Sequence, residues 1–591
     1  MASLASAARS RRRILPYLHR LLHSAPTAAA APSPSTSRFL RHASPVPRTP
    51  DHSPYLRFPD ARVSTLPSGL RVVTQAYPAA TRMASVGVWV DAGSRFELPG
   101  TNGTAHFLEH MAFKGTGRRP NAQVLEVEIE DMGARLNAYT SREQTTFFAD
   151  VQARHVPVAL DILSDILQHP RFPERAMQRE RGVILREMEE VQGMMEEVIF
   201  DLLHAAAFRG HALGDTILGP EENIKSISKK DLEQYISTHY TCPRMVVSAA
   251  GSVSHDEVVD RVKELFTEFS TDPTTADQLV DANPAIFTGS EVRVENWKMP
   301  LAHIAIALKG ASWTDPSSIP LMVIQSILGS WNRSVGVGNC SGSSLSRGVS
   351  NGNLAESLMA FNTNYRDTGI FGIYAIALPD TLHDLSRLIM AELRRLAFQV
   401  SEEEVARARN QQSAALPPAS RAAVQASPKV GYRRLRGLSS WFQFLQSPSG
   451  GVSSWRQRGL QKAAHLLGGA SRQQHSASQG SSRIGDSVIQ GLLKSSLLLH
   501  IDGSTAVAEN NGRQMLTYGR VMPFLELFAR IDAVDCATIM ETAKEYIIDK
   551  DIALAATGPI SNLPELSWFR SETCSDDEFT RRIFFGNTQN N

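Results

Sequence analysis

His106, Glu109 and His110 fall within five residues of one another in GTAHFLEHMAFKG (103–115), an otherwise apolar run. Neutral imidazoles bind metal ions, and a carboxylate beside them can take a proton from water. Two histidines four apart project from one face of a helix, so both can meet a single ion. A hydrolytic metal site needs three protein ligands and one open position for water. A five-residue pattern can also arise by chance, and core histidines are common, so the third ligand decides the matter.

The segment QRERGVILREMEEVQGMMEEVIFD (178–201) offers candidates. Glu180 and Glu187 are seven apart, two helical turns, and share a face. Most Glu-rich helices are solvated, but Val183, Ile184 and Met188 interleave here, which suits a helix packed at an interior site. The order His-x-x-Glu-His reverses that of the zincins and is the inverzincin pattern.

These residues need elements to position them. VSTLPSGLRVVTQAY reads as a hairpin around Pro67-Ser-Gly, and MASVGVWVDAGS as a buried strand ending in a turn. After the loop ELPGTNGT, Thr104 can cap a helix through AHFLEHMAF. Residues 137–184 and 362–411 resemble each other, each reading strand, turn, strand, amphipathic helix and a second helix rich in Glu and Arg. The chain therefore reads as α+β, with two homologous α/β-sandwich domains, each a mixed sheet with helices packed on it. The expected bounds are 60–270 and 300–570, with 271–299 as a Pro- and Asp-bearing linker. Only the first copy has histidines near its start.

At 591 residues the chain exceeds what one core can organise, and its 42% hydrophobic and 20% charged composition is that of a soluble globular protein. No run of 18 apolar residues suggests a membrane span. Four cysteines without a CxxC pair argue against a disulfide scaffold or a cysteine zinc site. Residues 1–50 hold eight arginines and no Asp, Glu or Lys, so the remainder is net acidic although the whole chain carries +1. Such a terminus has transit-peptide composition, expected to be disordered over 1–55, and SRRRILPYLHRLLH as a basic amphipathic helix favours the mitochondrion. Residues 412–492 are rich in Ser, Gln, Gly and Arg, with ten basic residues and one acid, Asp486. They are expected to be disordered. They read as a regulatory or RNA-binding insert or as a mis-spliced coding segment, the second being preferred.

The stretches GTAHFLEHMAFKGT, LNAYTSREQT, RERGVILREMEEV, ILGPEENIKSI and AFNTNYRDTGIFGIYA resemble the beta subunits of the mitochondrial processing peptidases, pitrilysin-group inverzincin metallopeptidases. The resemblance covers 63–570 apart from the insert; the tail 571–591 departs from it. It implies one Zn2+ per chain, held by His106, His110 and Glu187, with Glu109 as general base and Glu180 orienting a ligand. Zinc-activated water would attack a peptide carbonyl, and Tyr365 could stabilise the oxyanion. The resemblance makes 136–140 an exposed edge strand that pairs with an extended presequence, so Asn137, Ala138 and Tyr139 would bind substrate. Glu197 and Asp201 would receive an arginine just before the scissile bond, and Phe113 would line the following pocket unless it only packs in the core. A basic presequence also suits an acidic mature chain.

The implied role is removal of presequences from imported proteins in the mitochondrial matrix, or at the matrix face of the inner membrane, as half of a clamshell heterodimer with an alpha-type subunit. The alternative is a structural core subunit of the respiratory cytochrome bc complex, a role that can coexist with the peptidase. No nucleic-acid partner is expected.

Overall fold

The computed structural model describes residues 59–76, 82–335, 342–413 and 503–575. The expected transit segment, all but the first two residues of the 412–492 insert, and most of the C-terminal tail lie outside the described residues.

The first sheet contains β1 (Arg62–Thr65), β2 (Arg71–Ala76), β3 (Met83–Val90), β4 (Arg135–Thr140), β5 (Thr145–Gln152) and β6 (Met245–Gly251), in the order β1-β2-β6-β3-β5-β4. The second contains β7 (Glu291–Glu295), β8 (Ala302–Gly310), β9 (Ser330–Asn332), β10 (Ser357–Asn364), β11 (Gly369–Ala377) and β12 (Ile552–Gly558), in the order β7-β12-β8-β11-β10-β9. β2 with β6 and β7 with β12 are parallel pairs, and the other pairs are antiparallel. The series β2-β6-β3-β5-β4 therefore recurs as β7-β12-β8-β11-β10, as the repeat in sequence implied. The 271–299 stretch is more than a connector, because it contains a short helix and β7, which pairs with β12 in the second sheet.

The helices of the first half are α1 (Thr104–Ala112), α2 (Ala122–Asp131), α3 (Val156–Gln168), α4 (Glu174–Gln192), α5 (Met195–Ala207), α6 (Glu221–Ser226), α7 (Lys229–His239), α8 (His255–Leu265) and α9 (Ala276–Ala282). Those of the second are α10 (Ser318–Leu328), α11 (Ser344–Gly352), α12 (Leu382–Arg395), α13 (Glu402–Ser413), α14 (Ser504–Tyr518), α15 (Phe524–Asp532), α16 (Cys536–Ile547) and α17 (Leu566–Thr573).

Two of these helices are exchanged between the halves. α5 lays Ile199, Phe200, Leu203, Ala206 and Ala207 on the second sheet, while α14 lays Val507, Ala508, Met515 and Leu516 on the first. Each sheet is thus covered on both faces, which explains why its central strands are nearly continuous apolar runs rather than alternating ones. Side-chain size still follows the pleat. In β8, Ile304, Ile306 and Leu308 enter the second half's own core, and Ala305 and Ala307 face α5. Small residues let the visiting helix approach closely.

Gly512 on α14 shows how close that approach is. A Cβ there would stand 2.3 Å from Cδ2 of Trp89, a buried side chain of β3. Helix propensity alone makes Gly→Ala stabilising by about 1 kcal/mol, whereas overpacking of this kind costs about 1–3 kcal/mol. The packing cost is expected to win. Calorimetry should show a lower thermal midpoint for Gly512→Ala, and a raised midpoint would contradict the tight seating of α14.

Ion pairs at two hairpin tips join the halves. Glu143, between β4 and β5, accepts from Arg95 at 2.8 Å and from the backbone N–H of Arg366 at 3.0 Å. Arg366, between β10 and β11, reaches Asp91 at 2.5 Å and Asp277 at 2.6 Å, while Asp367 accepts from Arg95 at 2.7 Å. The two turns are counterparts in the repeat, and their carboxylates share Arg95.

Candidate active site

α1 begins at a left-handed Gly103, with φ +101°, where a Cβ would lie 2.7 Å from the carbonyl oxygen of Leu218. Thr104 is not the cap; it is the first helical residue, and its hydroxyl donates back to the Thr101 carbonyl at 2.6 Å. The buried Glu97 takes the capping role. Its carboxylate accepts from the N–H groups of Gly103 (2.8 Å) and Ala105 (2.6 Å) and from the Asn102 amide (2.8 Å). An anion there suits the positive end of the helix dipole. Burial pushes this carboxyl up to about 7, against the three N–H donors that pull it down.

On α1, His106 and His110 stack edge to face with ring centroids 4.7 Å apart. α4 packs beside α1 and brings Glu187 to them. Its Oε2 lies 3.2 Å from His110 Nε2 and 3.7 Å from His106 Nε2. One ligand atom from each of the three residues falls within 4.8 Å of the others, and among the described residues no other set of three His, Cys, Asp or Glu side chains does so. Tetrahedral ligands held at ~2.0–2.1 Å from one ion stand about 3.3 Å apart, between the two observed carboxylate–imidazole distances. His106 Nε2 is beyond hydrogen-bond range of Glu187, and among the described residues its buried Nδ1 has no hydrogen-bond partner. Burial, with His110 adding to it, lowers His106 to about 4 despite Glu187. A neutral imidazole whose Nε2 faces a carboxylate at 3.7 Å, too far for a hydrogen bond, fits a metal ion.

The neighbouring groups are organised around this set. Burial opposes protonation of His110, but its hydrogen bond and charge interaction with Glu187 outweigh burial and raise its pKa. Glu187 is lowered by the same partner, burial opposing. Glu180, one turn-pair earlier on α4, lies 3.4 Å from His110 Nδ1 and binds the Lys114 ammonium at 2.9 Å. Glu109 points to β4, where the Thr140 hydroxyl donates to its Oε2 at 2.6 Å. Burial raises the Glu109 carboxyl, while that hydrogen bond lowers it.

Among the described residues β4 is the edge of its sheet and pairs only with β5. Alternation sends Leu136, Ala138 and Thr140 toward the core and α1, and Asn137 and Tyr139 the other way. Asn137 is exposed, and the Tyr139 hydroxyl donates to Glu509 of α14 at 3.0 Å. Glu197 and Asp201 share a helix, α5, and Asp201 already accepts from the buried Arg142 at 2.8 Å. Phe113 ends α1 half-buried, its ring 6.5 Å from Phe147 and packed on the core.

Comparison with known proteins agrees with this geometry. The family model described as Insulinase (Peptidase family M16) matches residues 71–221, and that of the Peptidase M16 inactive domain matches 226–412. A relative from Arabidopsis thaliana, named "Probable mitochondrial-processing peptidase subunit beta, mitochondrial", is 50% identical over 536 residues, covering 91% of this chain and 85% of its own. The human protein named mitochondrial-processing peptidase subunit beta is 43% identical over 519 residues, 88% of each chain. The chain belongs to peptidase family M16, among the mitochondrial-processing peptidase beta subunits. Two solved structures share the fold. One is a chain of complex III2 from Candida albicans (TM-score 0.63, 21% identity, 87% of this chain and all of that one). The other is a Helicobacter pylori protease (TM-score 0.61, 18% identity, 85% and all).

One assignment drawn from the family resemblance is corrected. Tyr365 is buried between α5 and the second sheet, and its hydroxyl bonds His204 Nε2 at 2.6 Å among Phe200, Phe208 and Phe361. That hydroxyl is committed to the joint between halves and offers nothing to an oxyanion. Sequence reasoning also passed over Glu97, Lys114 and the side chain of Thr140. Lys114 lies past Ala112, the last residue of α1, so helical spacing did not mark it.

Proposed function

We propose that this chain is the peptidase-bearing subunit of a mitochondrial processing peptidase and removes N-terminal presequences from imported proteins. One Zn2+ is held by His106, His110 and Glu187; their convergence, with Glu109 alongside, is the observation that carries the reading. The N, N, O donor set suits zinc. When bound, such an ion polarises the peptide carbonyl and lowers the pKa of water to about 7. Glu109 takes a proton from water as the water oxygen adds to the carbonyl carbon and the C=O electron pair moves onto oxygen; it then gives that proton to the amine nitrogen, whereupon the C=O re-forms and the C–N bond breaks. Glu180 fixes the His110 ring through Nδ1 and is itself fixed by Lys114.

The free edge of β4 pairs with an extended presequence through main-chain hydrogen bonds, with Asn137, Ala138 and Tyr139 along it. Phe113 lines the pocket after the scissile bond. Glu197 and Asp201 receive an arginine before it, Asp201 sharing its carboxylate with Arg142. The partner is an alpha-type subunit that closes the clamshell, and the site of action is the matrix or the matrix face of the inner membrane. Among the described residues no helix is long and apolar enough to cross a membrane. Membership of a cytochrome bc complex core is not the favoured reading, because all three metal donors and the base are present.

The recognition half of the proposal is tested with the full chain and an alpha-type subunit. A presequence peptide with an arginine just before the cleavage point and its Arg→Ala counterpart are compared on wild type and on the double variant Glu197→Gln, Asp201→Asn. The expected result is weaker cleavage of the arginine peptide alone, by about tenfold, the size of one charge-assisted contact. An equal loss on both peptides would overturn the recognition role.

A further inference from the structure

Thr140 ends β4 on the side facing α1 and is 4% exposed. Its hydroxyl has one proton to donate, and two acceptors lie near it. Glu109 Oε2 stands at 2.6 Å and the Ala105 carbonyl oxygen at 3.5 Å, so the carboxylate receives the strong bond. That bond occupies one carboxylate oxygen and leaves the other to exchange a proton with substrate water.

The donor is also unusually well anchored. Thr140 pairs with Thr145 across the β4–β5 ladder, and Ser141 closes the turn by bonding Gln144 through both its N–H (2.8 Å) and its hydroxyl (2.9 Å). The next two residues are held by distant elements. Arg142 donates to the Leu213 carbonyl at 3.1 Å and to Asp201 at 2.8 Å, and Glu143 joins Arg95 and the backbone of Arg366. A β-branched side chain on so fixed a backbone has little rotamer freedom.

We propose that Thr140 is a positioning residue for the peptidase reaction. Its hydroxyl fixes the rotamer of the Glu109 carboxylate, so the strand that receives the substrate main chain also sets the base that acts on it. The inference rests on the reading of Glu109 as general base. Substrate pairing along the outer edge of β4 and proton transfer on its inner side are then referenced to one backbone segment, which keeps the reacting groups in register to within the tolerance that catalysis requires.

The test measures kcat and KM for a presequence peptide, with metal content and thermal midpoint, on the complex of the full chain with its alpha-type partner. Thr140→Val removes the donor and keeps the shape; Thr140→Ser keeps the donor; Glu109→Gln runs beside them. The expected result is a kcat about tenfold lower for Thr140→Val, the effect of one hydrogen bond to a charged group. KM should stay within about twofold, metal content should be unchanged, and Thr140→Ser should return kcat to near wild type. A role in folding alone would lower the thermal midpoint and active fraction without this Ser rescue. Wild-type kcat in Thr140→Val beside an inactive Glu109→Gln overturns the positioning role, and an active Glu109→Gln overturns the base assignment instead. If Thr140→Val does not fold, Ser is compared with Ala: a tenfold gap in kcat supports the proposal, and equal values refute it.

Discussion

Glu109→Gln is expected to lower kcat by about two to four orders of magnitude, the range of a lost general base, while the protein keeps its metal and its fold. Gln has nearly the shape of Glu, and its amide oxygen can still accept the Thr140 hydroxyl now found 2.6 Å from the carboxylate. The proposed metal donors are on His106, His110 and Glu187, so the substitution would leave the ligand count intact. Only the capacity to take a proton disappears. Steady-state kinetics and elemental analysis of the same sample separate the two effects. Cleavage within tenfold of wild type would show that another group moves the proton; loss of metal together with activity would show that Glu109 had been misassigned as a bystander to coordination.

The second large effect is on metal affinity. Glu187 supplies the one carboxylate oxygen facing both imidazoles, at 3.2 and 3.7 Å, and Glu187→Gln replaces an anionic ligand with a neutral one. Affinity for Zn2+ should fall by more than about a hundredfold, beyond the 10–100-fold typical of changes around the ligand shell. Glu180→Gln acts only through His110 and should fall inside that range. The ordering of the two variants is the informative part, since a solvated acidic face would give small and similar effects. Metal added to wild type should raise its thermal midpoint, as any ligand specific for the folded state does, and should leave that of Glu187→Gln nearly unmoved. Equal zinc binding by Glu187→Gln and wild type would remove this residue from the ligand set.

The chemistry was more legible in the sequence than the architecture that supports it. His106, Glu109 and His110 are local, and helical spacing alone puts them on neighbouring faces of α1. Glu180 and Glu187 were recognisable as a pair sharing a face of α4, though choosing Glu187 as ligand took the family resemblance. The repeat was visible because residues 137–184 and 362–411 share one pattern of strand, turn, strand, amphipathic helix and a second helix rich in Glu and Arg. The exchange of α5 and α14 was not visible, because an apolar helix face does not state which sheet it will cover. That exchange also explains the failure with Tyr365: its place in a strand repeat was readable, but its partner His204 comes from a helix of the other half. The N-terminal cap of α1 was missed for a similar reason, since Glu97 reaches it from a loop outside the usual capping positions.

The central claim is that one metal ion, held by His106, His110 and Glu187, makes this chain a presequence peptidase. Its most direct test is to strip the complex of the full chain and an alpha-type subunit with a chelator, then titrate Zn2+ back while following cleavage of a basic presequence peptide. Cleavage is expected to be absent without metal and to recover with saturation at one ion per chain. Cleavage that persists in the metal-free complex, or metal bound at that stoichiometry with no cleavage restored, would contradict the claim.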